Sequence, residues 1–278
     1  VKKIRAYYNS ITEAELWLPK DAGFRQFRFF LWDDKQERVV VRVIKDNFRH
    51  KRTLLKWLRR LAPLHVYYTT SAWLNPQGIG PDPKGKHGKA KMKKKGWTLN
   101  RYHDTLLYQG LYFDVDYDNA DYNEGATMLW TLRAILEESS VFKGENLRRV
   151  PTDVAAFIEG LDKAPTMVFS GSKGFHLVYE DWDSSRLSAI RKVRYQSMMK
   201  VEGGAQAFHS QVKEQIVEEL KEVPELLLDW EVTKDPRRII RLPGSVHGKT
   251  LKLCKIVDPT DFKFVDGYCI FNADAPIA

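Results

Sequence analysis

The chain has 278 residues, of which 43% are hydrophobic, so it is long enough for one large core or two closely packed modules. Its apolar runs fall short of the roughly eighteen residues of a membrane span, and its basic, aromatic start VKKIRAYY lacks the apolar segment of a signal peptide. These features favour a soluble, cytoplasmic protein, and the formal net charge of +9 favours a polyanionic partner.

The N-terminal part alternates between predicted strands and a predicted helix. The segments FRQFRFFLW and ERVVVRVIK favour two strands joined by a turn at Asp33 and Asp34. The segment TLLKWLRRL at residues 53–61 has helical spacing and ends before Pro63. The segment HVYYTTSAW then predicts another strand.

A lysine-rich segment, KGKHGKAKMKKK, occupies residues 84–95 and contains no acidic residue. Glycines interrupt it and PQGIGPDP precedes it, which favours a loop over a helix face. Such a loop either is merely solvated or contacts a nucleic-acid backbone. Its candidate contacts are Lys84, Lys86, Lys89, Lys91, Lys93, Lys94 and Lys95.

A second block begins near residue 106. The segment LLYQGLYFDVDYD predicts a strand, TMLWTLRAILEE an amphipathic helix, and TMVFSGSKGFHLVYE two strands around a glycine turn. A further helix is predicted to open at Pro151 with Thr152 as its N-cap, and residues 184–223 read as helical. RIIRLP, TLKLCKIV and YCIFN favour strands. The mixture predicts an α+β fold with modules at residues 1–105 and 106–278.

Two carboxylates follow one another closely at the end of a hydrophobic strand. Because side chains alternate along a strand, Asp114 and Asp116 share a face, and their repulsion is relieved if a hard divalent ion lies between them. A polar strand exit into a turn explains the same pattern. Asp229, directly after the apolar run LLL, adds a third acid, and three carboxylates suit two metal ions about 4 Å apart.

Two short segments group phosphate-compatible donors between strands. In SGSKGFH, Gly171 and Gly174 bracket a turn with Lys173 at its tip, although an ordinary hairpin turn fits equally well. PGSVHGKT ends like a phosphate-binding P-loop, but only three residues separate Gly244 from Gly248 and no helix follows. What remains is a dense donor set between two strands: Arg241, Ser245, His247 and Lys249.

The only two cysteines, Cys254 and Cys269, have no nearby histidine cluster. They indicate structural thiols in a reducing compartment, and a structural zinc site is not expected.

Three motifs occur in an order that resembles the small catalytic subunit of archaeal and eukaryotic DNA primases. They are YFDVDYD, SGSKGFH and LDWEVTKDPRRIIRLPGSVHGKT. The last is the most specific, because family members carry an aspartate, a short spacer and an R-L-P-x-S-x-H-x-K-T run. FRQFRFFLWDD and VYYTTSAWLNP extend the likeness upstream, and residues 182–228 are the least recognisable part.

The resemblance implies a role for each matching residue. It implies an N-terminal α/β module packed on an RRM-like catalytic module, with two Mg²⁺ or Mn²⁺ ions on Asp114, Asp116 and Asp229, which would be the catalytic residues. Nucleotide phosphates would be bound by Ser170, Lys173, His176, Arg241, Ser245, His247 and Lys249, with Arg25 as a further contact.

Three departures from the family pattern are visible. The turn has Ser172 where some relatives carry a second basic residue, and Gln26 replaces the glutamate of the R-E-F segment. Archaeal relatives carry a Cys/His zinc knuckle, but residues 118–166 contain neither cysteine nor histidine. The last departure indicates a divergent, compact or mobile-element-borne member.

The predicted function is template-directed synthesis of RNA or DNA primers on single-stranded DNA. The resemblance implies a DNA template and primer, NTP or dNTP substrates, a large primase subunit or helicase as partner, and association with the nucleoid. A polymerase that only extends primers is the alternative in the same class. A non-catalytic nucleic-acid-binding subunit and a metal nuclease are the alternatives from other classes, and a nuclease has no use for a triphosphate pocket.

Overall fold

The structure is a computed structural model, which describes residues 1–73, 76–78, 106–116, 122–138, 165–179, 214, 217–218, 220–223, 226, 228–235, 237–265, 268–271 and 275–277. Their strands form two four-stranded sheets and two smaller strand pairs. Every pairing between these strands is antiparallel, and helices pack on the sheets. In the described part of the chain, no helix has the length and apolar character to cross a membrane.

The first sheet contains β1 (Phe27–Asp33), β2 (Arg38–Ile44), β3 (His65–Thr69) and β9 (Ile239–Arg241). Its order is β2-β1-β3-β9. β1 and β2 form the hairpin that their alternating pattern predicts, whereas β9 arrives from far along the chain to pair with β3. A boundary near residue 105 therefore divides this sheet in sequence, because its fourth strand lies beyond that residue.

Two helices, α1 (Lys2–Ser10) and α2 (Lys51–Leu61), contribute to the core on one face of the first sheet. Alternate residues of β1, Phe27 and Phe29, are fully buried in the same apolar cluster as Leu54 of α2. α2 confirms the predicted helix at 53–61 and begins two residues earlier. The helix ends at Leu61, and the following Ala62 has a left-handed φ of 44° that redirects the chain just before Pro63.

The second sheet contains β6 (Leu111–Val115), β7 (Thr166–Phe169), β8 (Phe175–Tyr179) and β10 (Lys255–Val257). Its order is β10-β7-β8-β6. α3 (Tyr122–Glu138) shares an apolar cluster with one face of this sheet, and Tyr112, Val168 and Val178 on the other face belong to the core of the first sheet. Strand alternation consequently sends Asp114 to the side between the sheets.

The remaining elements connect and extend these sheets. β4 (Ser71–Trp73) pairs with β5 (Leu106–Gln109), and β11 (Phe262–Val265) pairs with β12 (Tyr268–Phe271). α4 (Trp230–Lys234) is a short helix before β9.

Two predicted strands are each interrupted at one residue. HVYYTTSAW breaks at Thr70 and LLYQGLYFDV at Gly110, and the Gly110 N–H donates to Thr70 O at 2.9 Å. A Cβ at Gly110 would lie 2.6 Å from that oxygen, so only glycine fits this close approach. The chain changes from one strand pair to another at these residues.

Several expectations are confirmed, and others fall outside the described residues. The mixed fold of antiparallel sheets and helices agrees with the α+β prediction, whereas the RRM-like arrangement stays a prediction. TLKLCKIV forms a regular strand only at Lys255–Val257, because residues 252–254 instead form main-chain hydrogen bonds with the loop at 244–247. The lysine-rich segment, Thr152 and most of residues 184–223 lie outside the described residues, while Val217 and Leu220 near the end of that stretch are helical and buried.

Candidate active site

Two of the predicted metal ligands become neighbours through backbone pairing. Asp114 lies in β6, in register with His176 of β8. Leu228 bridges Val115, and the Asp229 N–H donates to Asp114 O at 3.0 Å. This main-chain pairing, together with the burial of Leu228 in the same apolar cluster as Val115, places residue 229 beside residue 114.

The charges of the aspartates oppose one another. Burial raises the pKa of Asp114 to about 7, with Asp116 and Asp229 adding to the rise and Arg241 opposing it. In the described part of the chain, no three His, Cys, Asp or Glu groups converge closely enough to hold a metal ion. The oxygen donors nevertheless suit a hard divalent cation, and their mutual repulsion is what such a cation relieves.

Basic side chains reach the first two aspartates from the neighbouring strand and turn. Lys173 Nζ lies 3.6 Å from Asp116 Oδ1, and His176 Nε2 lies 3.4 Å from Asp114 Oδ1. Burial, followed by the charge of Arg241, lowers the pKa of His176 to about 3, so its ring is neutral at physiological pH. Asp229 begins α4, and its Oδ1 accepts the Glu231 N–H at 3.0 Å.

The glycine turn between β7 and β8 confirms the predicted strand–turn–strand and is held by Ser170. Its N–H donates to Gly174 O at 2.9 Å, and its Oγ accepts the Gly174 N–H at 3.3 Å. Gly171 has a φ of 81°, which only glycine adopts readily. A Cβ on Gly174 would lie 2.7 Å from Val115 O, so the turn fits tightly against the strand that carries the aspartates.

Arg241, the last residue of β9, joins this turn to the first sheet. Its Nη1 donates to Ser170 O at 2.5 Å, and its Nη2 donates to the Tyr67 hydroxyl at 2.6 Å. The guanidinium also lies over the Tyr67 ring, 5.1 Å from the centroid. Its buried Nε has no hydrogen-bond partner among the described residues, so one donor of this cation is left over.

The loop PGSVHGKT brings His247 and Thr250 to the glycine turn. His247 Nδ1 accepts the Thr250 N–H at 3.2 Å, which leaves the ring proton on Nε2. Burial, then Arg241, His65 and Lys249, lower the pKa of His247 to about 3. The Thr250 hydroxyl, 3.0 Å from the same nitrogen, donates to Gly171 O at 2.5 Å. His247 is therefore a neutral donor in a cationic neighbourhood.

Two other predicted phosphate ligands have different surroundings. The Ser245 hydroxyl is fully buried and donates to Leu242 O at 2.6 Å, which gives it a structural task in the loop. Lys249 is exposed and close enough to influence the pKa of His247. Their predicted phosphate contacts stay predictions.

Arg25 is committed to contacts within the fold. Its Nε donates to Asp21 Oδ1 at 2.7 Å and its Nη1 donates to Thr69 O at 2.8 Å. The side chain is buried, with its guanidinium close to the rings of Tyr68 and Tyr112. This position is explained by packing, and the predicted contact with nucleotide phosphate stays a prediction.

Sequence reasoning missed three side chains that line this region. His65 packs edge-on against His247 with ring centroids 4.8 Å apart and accepts the Gly248 N–H at 3.4 Å on Nδ1. Tyr67, two residues on, contacts Arg241. Thr250 joins the loop of His247 to the glycine turn between β7 and β8. The alternation of β3 puts His65 and Tyr67 on one face, but only the pairing with β9 reveals which face that is.

Comparison with known proteins gives a consistent result. No protein-family model matches the chain. The chain is similar to DNA primase small subunits. It is 27% identical to "DNA primase small subunit PriS" of Pyrobaculum calidifontis over 265 residues, covering 88% of this chain and 73% of that protein. It is 24% identical to the PriS protein of Sulfolobus acidocaldarius, covering 91% of this chain and 74% of the other.

A solved structure shares the fold. The polymerase domain of Mycobacterium tuberculosis Ligase D, in complex with DNA, matches with a TM-score of 0.50 and 13% identity. The match covers 93% of this chain and 80% of that one. At this identity the likeness concerns the fold alone.

Proposed function

We propose that the protein is a template-directed nucleotidyltransferase of the primase type. The observation that carries the proposal is the meeting of Asp114 and Asp229 beside a turn that Arg241 joins to the first sheet. A set of carboxylates opposite a set of phosphate donors suits phosphoryl transfer, where both charge types are needed. The similarity to DNA primase small subunits supports the same reaction class.

The three aspartates are proposed to hold two divalent metal ions, Mg²⁺ or Mn²⁺. When bound, the ions would supply activation of a 3′-hydroxyl and charge neutralisation at the triphosphate. The protein's own contribution is to hold Asp114 on a buried strand and Asp229 on the backbone next to it. Lys173, 3.6 Å from Asp116, is positioned to accompany a phosphate rather than to replace the cation.

The phosphate side of the site is proposed to use Arg241 and His247. Arg241 Nε has no hydrogen-bond partner among the described residues, and His247 carries its proton on Nε2 because Thr250 occupies Nδ1. Neutral and charged donors together offset the charge that develops on leaving pyrophosphate. These donors argue against a metal nuclease, which binds no triphosphate.

A single incorporation assay tests the proposal. The protein would be given single-stranded DNA, labelled NTPs or dNTPs and Mg²⁺ or Mn²⁺, with and without a primer. Wild type is expected to incorporate nucleotide, and Asp114→Ala is expected to lose at least a hundredfold in rate, about 2.7 kcal/mol of transition-state stabilisation. Glu231→Ala, which removes an exposed carboxylate two residues after Asp229, is the matched control and should retain activity.

The outcome also separates the two candidate activities. Product without a primer indicates primer synthesis, whereas product only with a primer indicates a polymerase that extends existing primers. No incorporation under any condition, with Asp114→Ala and wild type indistinguishable, contradicts the enzyme proposal. A large subunit or helicase belongs to the proposal only as a further component to add to the assay.

A further inference from the structure

The face of the first sheet that points away from α1 and α2 carries a row of aromatic and apolar side chains. We call it the outer face and define it by Phe30, Trp32, Val41, Tyr67 and Arg241. Strand register places Val41 opposite Phe30. On the same face Arg28 pairs with Val43 on one side and with Tyr67 on the other, and Tyr67 in turn pairs with Arg241. The outer face thus crosses the whole sheet from the β2 edge to the candidate active site.

The edge end of the outer face is unusually exposed for such side chains. Trp32 is 43% exposed, and Val41 is 55% exposed. On β1 the inward-pointing rings of Phe27 and Phe29 are fully buried, whereas Trp32 on the outer face is not. Contiguous exposed apolar surface on a soluble protein commonly marks a binding site.

The aromatic rings continue from this edge toward the phosphate donors. The Phe30 and Tyr67 ring centroids are 4.9 Å apart, and the Arg241 guanidinium lies 5.1 Å from the Tyr67 centroid. His65, beside Phe30, leads on to His247. With strands about 4.8 Å apart, the outer face spans roughly 14 Å from β2 to β9. That is enough for a few stacked bases.

The charge on the outer face is positive. Arg28 and Arg241 both belong to it, and no acidic residue of these four described strands has the register of this face. Acidic residues occur at the β1–β2 turn, where Asp33, Asp34 and Glu37 follow Trp32. These carboxylates mark one end of any path for a polyanion.

We propose that the outer face binds single-stranded nucleic acid, with bases stacked on Trp32 and Phe30 and the backbone led toward Arg241. Aromatic rings interleaved with arginine on an open sheet bind unpaired bases with little sequence preference. Continuity with the candidate active site favours a nucleic acid over an apolar protein partner, which would have to cover the charges of Arg28 and Arg241, both half-buried. That the bound strand is a template rests on the proposed function. That the outer face binds single-stranded nucleic acid does not rest on it.

Binding is measured directly, without metal or nucleotide, as the fluorescence anisotropy of a labelled oligo(dT) titrated with the full chain. Trp32→Ala is expected to raise the dissociation constant about fivefold or more, since stacking of a base on one aromatic ring accounts for at least that factor in affinity. Trp32→Phe should keep most of the affinity. The matched control is Phe264→Ala, which removes an aromatic side chain 61% exposed on β11.

A second variant distinguishes a nucleic acid from an apolar partner. Val41→Lys adds a cation beside Phe30 and is expected to tighten oligo(dT) binding, because a lysine that contacts a phosphate releases counterions from the nucleic acid. For the same reason the affinity should fall more steeply as the salt concentration rises. An apolar protein or a second copy of this chain paired on β2 would instead be repelled by the same change. Weaker oligo(dT) binding by Val41→Lys overturns the proposal.

The remaining outcomes also decide between the proposals. If Trp32→Ala is folded by circular dichroism and binds oligo(dT) with the affinity of wild type, the proposed surface is overturned. It is also overturned if Trp32→Ala changes only the oligomeric state of the protein and not its oligo(dT) affinity. Trp32-dependent binding without nucleotide incorporation leaves the surface standing and contradicts only the proposed enzyme.

Discussion

At the scale of single residues, the site is defined by charges that the fold brings together from distant parts of the chain. Asp114 and Asp116 come from one strand, while Asp229 arrives at the same place through a main-chain hydrogen bond. The cost of this arrangement is visible in Asp114, whose pKa is raised to about 7 by burial and by its acidic neighbours. A group in that position stabilises the fold best when it is uncharged.

Replacing Asp114 with Asn therefore gives a pH-dependent change in stability. The folded-state pKa of about 7 exceeds the ordinary 3.8, so the folded protein holds the proton more tightly and loses stability as pH rises between those values. In chelator, Asp114→Asn should be more stable than wild type at pH 8 by on the order of 2 kcal/mol and little different at pH 4. Urea unfolding at both pH values measures the difference.

The histidines provide the necessary contrast for that experiment. His176 and His247 have lowered pKa values, so their stabilising contribution is lost as pH falls below 6.5, opposite in sign to Asp114. Both histidines are present in wild type and in Asp114→Asn, so a stability difference that grows as pH rises follows the aspartate and not the histidines. If Asp114→Asn and wild type differ in unfolding free energy by the same amount at pH 4 and pH 8, ionisation of Asp114 does not destabilise the folded protein. Mg²⁺ added at pH 8 should stabilise wild type more than the variant.

At the scale of elements, the site depends on how closely the glycine turn fits against β6. A Cβ on Gly174 would lie 2.7 Å from Val115 O and 3.6 Å from Asp116 Cα. Both contacts involve backbone, which yields less readily than a flexible side chain. The turn therefore sets the position of the strand end that carries Asp116.

Gly174→Ala should disturb this strand end. The variant is expected to lose about 1–3 kcal/mol of stability, the usual cost of forcing an extra carbon into a packed site. Incorporation should fall further than the folded fraction does, because Asp116 moves with Val115. Thermal unfolding and the incorporation assay measure the two effects.

Ser172→Ala, in the same turn and half-buried, is the control for that variant and should behave as wild type. A Gly174→Ala protein with the stability and activity of wild type would mean that the turn does not position the aspartates.

The elements themselves were largely predictable from local patterns, and their meeting points were not. Alternation of apolar and polar residues foresees β1 and β2, and the glycine pair foresees the turn between β7 and β8. The pairing of β9 with β3 has no local signal, because any edge strand can accept a three-residue partner. The sequence likewise identifies Asp229 as an acid after an apolar run. It does not predict that Asp229 caps α4.

At the scale of the whole molecule, the two large sheets share one core. Tyr112, Val168 and Val178 of the second sheet lie in the same apolar cluster as Phe27 and Tyr68 of the first. β9 ties the sequences together further, since Ile240 is buried in the first sheet while Arg241 contacts the turn of the second. We therefore expect the described parts to unfold as one unit.

Ile240→Ala tests this cooperativity. Truncating a buried isoleucine typically costs about 2–5 kcal/mol, and both sheets should share the loss. Urea unfolding followed by circular dichroism and by tryptophan fluorescence should give coincident transitions at lower urea. Ile256→Ala, on β10 and 44% exposed, is the matched control and should change stability by less than about 0.5 kcal/mol. Two separated transitions would show that the sheets are independent.

The late position of β9 has a consequence for how the protein is made. During synthesis β3 (His65–Thr69) leaves the ribosome long before β9 (Ile239–Arg241), so one edge of the nascent sheet stays open while most of the chain is translated. Arg241 and His247, the proposed phosphate donors, emerge only then. A chain released early by a stalled ribosome would carry Asp114 and Asp116 without the proposed phosphate donors, so we expect an incomplete product to be inert rather than an unregulated copy of the proposed enzyme.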